Sequence, residues 1–324
     1  MAKKINMFPP IPEPPYTMES LDIPLELFQP MDEGERAMDQ INRPSISYWQ
    51  NAYRKIKADP LAVIGFIFIF LMILLAVFGP IFSPYTYEQQ DYEAIYQTPN
   101  AQHLLGTDMF GRDLFTRIAY GARISLTIGF VAALVNMVIG ALYGGIAGFF
   151  GGKVDMILMR IVDIFAAVPS LLYIILLMMF LGSNLQSILI ALCLTYWFST
   201  ARQTRAQILS IRNQDFALAA KVAGETDFQI LIRHLIPNSI GPIIVTVSSL
   251  VPAAIFEEAF LSFIGIGIAV PVASWGTLAN DGMKVMGMYP YLMIYPAAAI
   301  SLTMFALNFI GDGLRDALDS RLKK

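Results

Sequence analysis

From Leu61 to Phe82 the chain runs through twenty-two residues without a single charge. Five more apolar stretches of comparable length follow, at Ile124–Phe149, Ile157–Leu181, Leu185–Ala201, Ile240–Ile268 and Tyr289–Ile310. About twenty apolar residues span the hydrocarbon core as a helix, because every backbone polar group there must be paired within the chain. Six such stretches predict an all-α integral membrane protein. The fourth is the shortest, and the fifth is interrupted by Pro252 and Glu257-Glu258. Composition agrees: the 324 residues are 56% hydrophobic and 15% charged, against about 25% charged in a soluble domain.

Orientation follows from Lys and Arg, which stay on the cytoplasmic side of a bilayer. With the N-terminus inside, eighteen of the twenty-two basic residues fall in the tails, the 151–160 turn and the 202–237 loop. Arg112, Arg117, Arg123 and Lys284 lie outside. The expectation is N-in and C-in. The organisation read from this is a cytoplasmic tail at 1–60, a first transmembrane helix at 61–82 and an extracytoplasmic segment at 83–123. A core of five transmembrane helices follows at 124–315, with a cytoplasmic loop at 202–237 and a tail at 316–324. The first sixty residues are polar and proline-rich, without an apolar core of signal-peptide length. Their last part, around Ser47–Arg54, is expected either to lie as an amphipathic helix on the membrane surface or to be a plain linker.

Several chemistries are excluded at this level. The single cysteine, Cys193, allows no disulfide framework, and His103 and His234 lie 131 positions apart, so no metal cluster is expected. A net charge of −3 with dispersed basic residues gives no nucleic-acid stripe. Gly152-Lys153 is not a phosphate loop, because Ala147 and Val154 stand where that motif requires Gly and Ser or Thr. No nucleotide site is expected in this chain.

The 202–237 loop is the most informative stretch. Asp215 to Gly224 reads as a short Ala-rich helix, with small residues that let another protein approach closely. Gly224 suits the left-handed C-terminal position. Thr226 and Gln229 fit a capping box opening the next helix, and Pro237 fits the first turn of the fifth span. The spacing resembles the EAA loop of ABC importer permeases: Ala219, Ala220, Gly224 and Pro237 hold the motif positions, with Leu218 where the motif has Glu. Four further stretches agree. His103-Leu104-Leu105-Gly106-Thr107-Asp108 through Arg112-Asp113, Met159–Asp163 with Val168-Pro169-Ser170, Glu258–Gly265 with Ser274-Trp275-Gly276, and Gly311–Asp319 resemble the C-type subunit of dipeptide/oligopeptide permeases.

The resemblance covers about Arg54 to the C-terminus and implies the type I ABC importer permease fold (MetI-like). It implies a multi-pass protein of the bacterial cytoplasmic membrane that is no enzyme itself. Its partners would be a homologous B-type permease, two ATPase subunits carrying ATP and Mg, and an extracytoplasmic peptide-binding protein. The ATPase-docking coupling loop would comprise Asp215, Phe216, Ala219, Ala220, Lys221, Gly224 and Glu225. Nickel permeases share the signature, so nickel remains an alternative substrate. A proton-coupled secondary transporter relaying through Asp163, Glu257 and Glu258 is a remoter one, and a membrane-embedded enzyme finds no catalytic motif.

Individual residues carry further expectations. Gly140, Gly144, Gly148 and Gly152 recur every four residues and predict a flat helix-packing ridge. Arg160 and Asp163 are spaced for an i, i+3 ion pair. Glu257 and Glu258 either line an outer gate, meet a substrate amino group or reach into water. Asp108, Arg112 and Asp113 either cap small helices or dock the binding protein. Trp275, Tyr289 and Tyr291 read as an outer aromatic belt. Asp312, Arg315, Asp316, Asp319 and Arg321 read as a solvated tail.

Overall fold

The computed structural model describes residues 47–269 and 271–318. The N-terminal tail before Ser47, with Asp319 and Arg321, lies outside the described residues. Helix α1 (Tyr48–Ala58) precedes α2 (Pro60–Phe82), and a long outer segment leads to α3 (Leu114–Phe150). Then come α4 (Gly152–Ala166), α5 (Ser170–Leu181), α6 (Leu185–Thr195), α7 (Trp197–Ile211) and the short α8 (Asp215–Val222). Helix α9 (Asp227–Phe263) opens through a π-helical turn at Ile230–Leu235. Helices α10 (Trp275–Lys284) and α11 (Tyr291–Leu318) are the last of the described elements. Among the described residues there is no strand.

Among the described residues four helices, α2, α3, α9 and α11, are long and apolar enough to cross a membrane, and α4 with α5 makes a fifth if that bent pair is one span. The pair bends by 76°. Pro169 explains the break, since it lacks the N–H and disfavours helical backbone at the residue before it.

Small residues set the helix directions by where they permit contact. A Cβ on Gly140 would meet Thr200, one on Gly144 would meet Ala201 and one on Gly148 would meet Arg205, so α3 and α7 run side by side in the same direction. Gly65 approaches the Ala306 carbonyl and Gly313 approaches Ala62, which sets α2 antiparallel to α11. Gly129 lies on Ile255 and Gly145 faces Ile236, setting α3 antiparallel to α9. Gly152 is not part of the ridge: it has φ +52° and nothing within 4 Å.

Helix α1 docks on the end of α11. The Tyr48 hydroxyl donates to the Leu318 carbonyl at 3.0 Å, Lys55 Nζ donates to the Asp316 carbonyl at 3.2 Å, and Ala52 packs with Ala317 and Leu318. Gly241, near the start of α9, also abuts the Tyr48 ring. The starts of α1 and α9 and the end of α11 therefore share one end of the bundle.

The structure corrects several expectations. Helix α3 starts at Leu114, ten residues before the expected span, so Arg117 and Arg123 belong to it. Arg123 has a specific reason to be there. Pro80 cannot donate to the Ala76 carbonyl, and Arg123 Nε donates to it instead at 3.1 Å, with Nη2 on the Val77 carbonyl at 3.2 Å. Helix α7 carries Arg202 to Ile211, so those residues are not loop. Asp312, Arg315 and Asp316 are helical within α11 and not a tail beyond it. Asp163 pairs with Arg202 of α7 at 2.9 Å, not with Arg160.

Trp275 is not part of a belt. It is fully buried and donates through Nε1 to the Ile118 carbonyl at 3.1 Å. Tyr289 stacks on Tyr96 at 4.4 Å, and the Tyr291 hydroxyl donates to the Gln97 carbonyl at 3.0 Å, so both rings pin the outer segment. Trp275→Phe keeps the ring packing and removes one hydrogen bond. It is expected to cost about 1 kcal/mol, read as a small drop in the thermal midpoint of the purified protein.

Candidate functional site: the α8 loop and the buried polar clusters

Caps close the end of α3, the end of α8 and the start of α9 around this loop. Arg212 Nη1 donates to the carbonyls of Gly148 and Phe149 at 2.9 and 3.0 Å, closing the end of α3. Helix α8 ends in a Schellman motif: Glu225 N donates to the Ala220 carbonyl at 3.2 Å, and Gly224 N to that of Lys221 at 3.1 Å. Gly224 has φ +86°, the conformation this turn needs. Thr226 and Gln229 form the expected capping box, with Thr226 N donating to Gln229 Oε1 at 2.8 Å. Pro237 sits in the first turn of the straight part of α9, as expected.

These joints present α8 with one face in and one out. Ala217 and Ala220 are buried against Ile208, Ile230, Leu231 and Leu235. Phe216 is half-buried, while Asp215, Ala219, Lys221 and Gly224 are exposed. Glu225, half-buried, turns back to His234 Nε2 at 2.9 Å and ties the loop to the π-helical turn. Leu218, Val222 and Phe228 stand out from the surface, Val222 at 90% exposure.

Asp155 and Arg205 make a bidentate pair at the same end, with Nη2 to Oδ2 at 2.5 Å. Sequence reading missed this pair, because nothing in the spacing shows that positions fifty apart meet.

In the outer segment, Asp108, Arg112 and Asp113 are all buried. Asp108 accepts from Arg112 Nε at 2.7 Å and from the backbone N–H groups of Phe110 and Arg112, and lies 3.6 Å from Arg117 Nε. Asp113 caps α3 through Thr116 at 2.8 Å and meets His103 Nδ1 at 3.0 Å. Gly106 and Gly111 take positive φ at the turns between them, and a Cβ on Gly111 would collide with the Asp91 carbonyl. These charges shape the loop, and a docking protein would meet the surface they hold rather than the side chains. Tyr96, on the same segment, is raised above the usual phenol range by burial and by the Asp108 charge.

Glu257 and Glu258 have different surroundings. Glu258 is 0% exposed, accepting from Ser125 of α3 at 2.9 Å and from Ser262 at 2.8 Å. It ties two helices and lines no open surface. Glu257 is half-buried and accepts from the Tyr196 hydroxyl at 3.3 Å. The serines and Tyr196 were not foreseen, since a lone hydroxyl in an apolar run gives no signal. No group of three His, Cys, Asp or Glu among the described residues could hold a metal ion.

Residues 140–324 match the family model described as "Binding-protein-dependent transport system inner membrane component". Residues 47–99 match the "N-terminal TM domain of oligopeptide transport permease C". The oligopeptide transport system permease protein OppC of Bacillus subtilis (strain 168) is 44% identical over 303 residues, covering 94% of this chain and 99% of the relative. The dipeptide transport system permease protein DppC of the same organism is 45% identical, covering 93% and 95%. OppC of Escherichia coli (strain K12) is 42% identical over 277 residues, covering 85% and 92%. Among solved structures, a chain of the inward-facing MetNI methionine ABC transporter superposes with a TM-score of 0.51 at 19% identity, covering 62% of this chain and 96% of that one, which supports the fold alone. With its all-helical fold, its capped α8 loop and these matches along nearly its whole length, the chain belongs to the binding-protein-dependent inner-membrane permeases, in the OppC/DppC group.

Proposed function

We propose that this chain is one half of the translocation pathway of an ATP-driven peptide importer, and that it grips an ATPase subunit through α8. The observation that carries the mechanical part is the α8 loop: a short helix closed at its C-terminal end by the Gly224 turn, exposed on one face and packed on the other against Ile208 of α7 and Ile230, Leu231 and Leu235 of α9. A force applied to such an element reaches the membrane helices without being lost in loop motion. The peptide substrate follows from the likeness to the oligopeptide and dipeptide transport permeases OppC and DppC.

Six passes are inferred from the alternation of contacts. Helices α3 and α7 run in the same direction, so α4 with α5 must cross back between them, and α6 with α7 makes the fourth pass. The shared end of α1, α9 and α11 carries most of the basic residues, which supports N-in and C-in in a bacterial cytoplasmic membrane. A B-type permease would complete the pathway, two ATPase subunits would hold ATP and Mg, and an extracytoplasmic protein would deliver peptide. Nucleotide and loaded binding protein would then shift the complex between inward and outward states by binding one better than the other.

The test is ATP hydrolysis and peptide uptake by the reconstituted complex, with and without peptide-loaded binding protein. Gly224→Val forces a branched side chain into φ +86° at about 1–2 kcal/mol, and is expected to lower stimulated hydrolysis severalfold while basal assembly persists. Peptide uptake without any ATPase would overturn the reading.

A further inference from the structure

Helix α4 is an unusual wall. Val162 is its one buried residue, and acid–arginine pairs to α7, Asp155–Arg205 and Asp163–Arg202, take the place of an apolar seam. The second pair is open: the Asp163 and Arg202 side chains are 53% and 50% exposed. Asp163 is the twelfth residue of α4, about 17 Å along the helix. Charged side chains at such depth face protein or a water-filled cavity and not lipid. The backbone break at Ala167–Pro169, one turn further on, obeys the same constraint.

The chemistry of this surface is one-sided. Arg160, one turn before Asp163, is exposed and forms no ion pair among the described residues. This stretch thus carries one paired guanidinium, that of Arg202, and one without an ion pair, that of Arg160. Phe198 lies one turn before Arg202 on α7 and stacks with Phe165 at 6.3 Å, and Phe165 in turn neighbours Tyr173 at 6.4 Å. An exposed ion pair is worth little in water, so a second carboxylate could take over Arg202 at small cost. Guanidinium groups match a carboxylate in bidentate geometry.

We propose that Arg160, Asp163 and Arg202 line the translocation pathway and receive the C-terminal carboxylate of the passing peptide, with Phe165 and Phe198 against its side chains. The proposal rests on the peptide-importer reading. Asp163 is the competing anion that keeps the site from holding the peptide too tightly to release it. Arg160 supplies the charge that makes the exchange favourable.

The experiment uses the full complex in proteoliposomes, with binding protein saturated by an alanine tripeptide bearing either a free or an amidated C-terminus. The wild type is expected to move the free acid about tenfold faster than the amide, the scale of one charge-assisted contact. Arg160→Gln is expected to bring that ratio to about one by slowing the free acid alone. A wild-type ratio of one, or equal slowing of both peptides by Arg160→Gln, would overturn the proposal. So would recovery of the full wild-type ratio in Asp163→Arg/Arg202→Asp, which marks the pair as a strut between helices. A second reading avoids the binding protein's own selectivity. In a Cys193→Ser background, Phe198→Cys should be labelled during ATP turnover by a tripeptide carrying a thiol-reactive central side chain. Uptake without labelling rejects the site, whereas failure of the wild type to take up any peptide rejects the importer reading itself.

Discussion

Gly144→Val is expected to break the permease apart at its most extensive helix contact. A Cβ at position 144 would sit 2.1 Å from the Ala201 carbonyl oxygen and 2.8 Å from its carbon, and both atoms are backbone. No rotamer change relieves that clash, so α3 and α7 must separate. Gly140 and Gly148 make the same kind of approach one turn to either side, which means the helices cannot pivot about the insertion. Overpacking in a well-filled interior costs about 1–3 kcal/mol and more where backbone must move. At 3 kcal/mol the thermal midpoint would fall by about 6–12 °C, with loss of the assembled complex in detergent. Gly145→Ala is the control, because its nearest neighbour would be Leu231 at an ordinary 3.4 Å. An unchanged midpoint for Gly144→Val would mean that α3 and α7 do not pack at this distance.

That ridge was legible in the sequence because a four-residue glycine period has few other uses in an apolar helix. The capped α8 loop was legible for a similar reason: left-handed turns and capping boxes are local, and their residues lie within four positions of one another. What could not be read was everything long-range. Asp163 has a well-spaced Arg160 on its own helix, yet the partner it takes is Arg202, brought alongside where α4 meets α7. Arg117 and Arg123 read as the end of a loop because charge marks the end of a span. Arg123 is helical because a proline elsewhere leaves a carbonyl free, and Arg117 because Asp108 lies beside it. Trp275 read as an interfacial residue on composition, whereas Gly121 makes the space that buries its ring. Glu258 was recognised as costly in a membrane, but its hydroxyl partner Ser125 lies 133 positions away.

Leu218 is where the largest functional effect is expected. The resemblance places a glutamate at this position, and Leu218 can make no ion pair there. The structure supplies an alternative. Leu218 at 49% exposure and Val222 at 90% are four residues apart on α8 and so share a face, with Phe228 at 68% beyond the glycine turn. An exposed apolar set of this kind, ringed by Asp215, Lys221 and small alanines, has the composition of an interface centre rather than of a solvated loop. Burying two aliphatic side chains contributes about 1.5–3 kcal/mol each. Leu218→Asp/Val222→Asp should therefore weaken binding of the ATPase subunits by about a hundredfold or more, measured as their affinity for the detergent-purified permease pair. The thermal midpoint of the permease itself should hold, since both side chains point away from Ala217 and Ala220. Leu218→Met should bind as the wild type does, because an apolar contact tolerates a volume-conserving change of shape. If the double aspartate variant binds ATPase with undiminished affinity, the grip lies elsewhere and α8 is a brace within the permease.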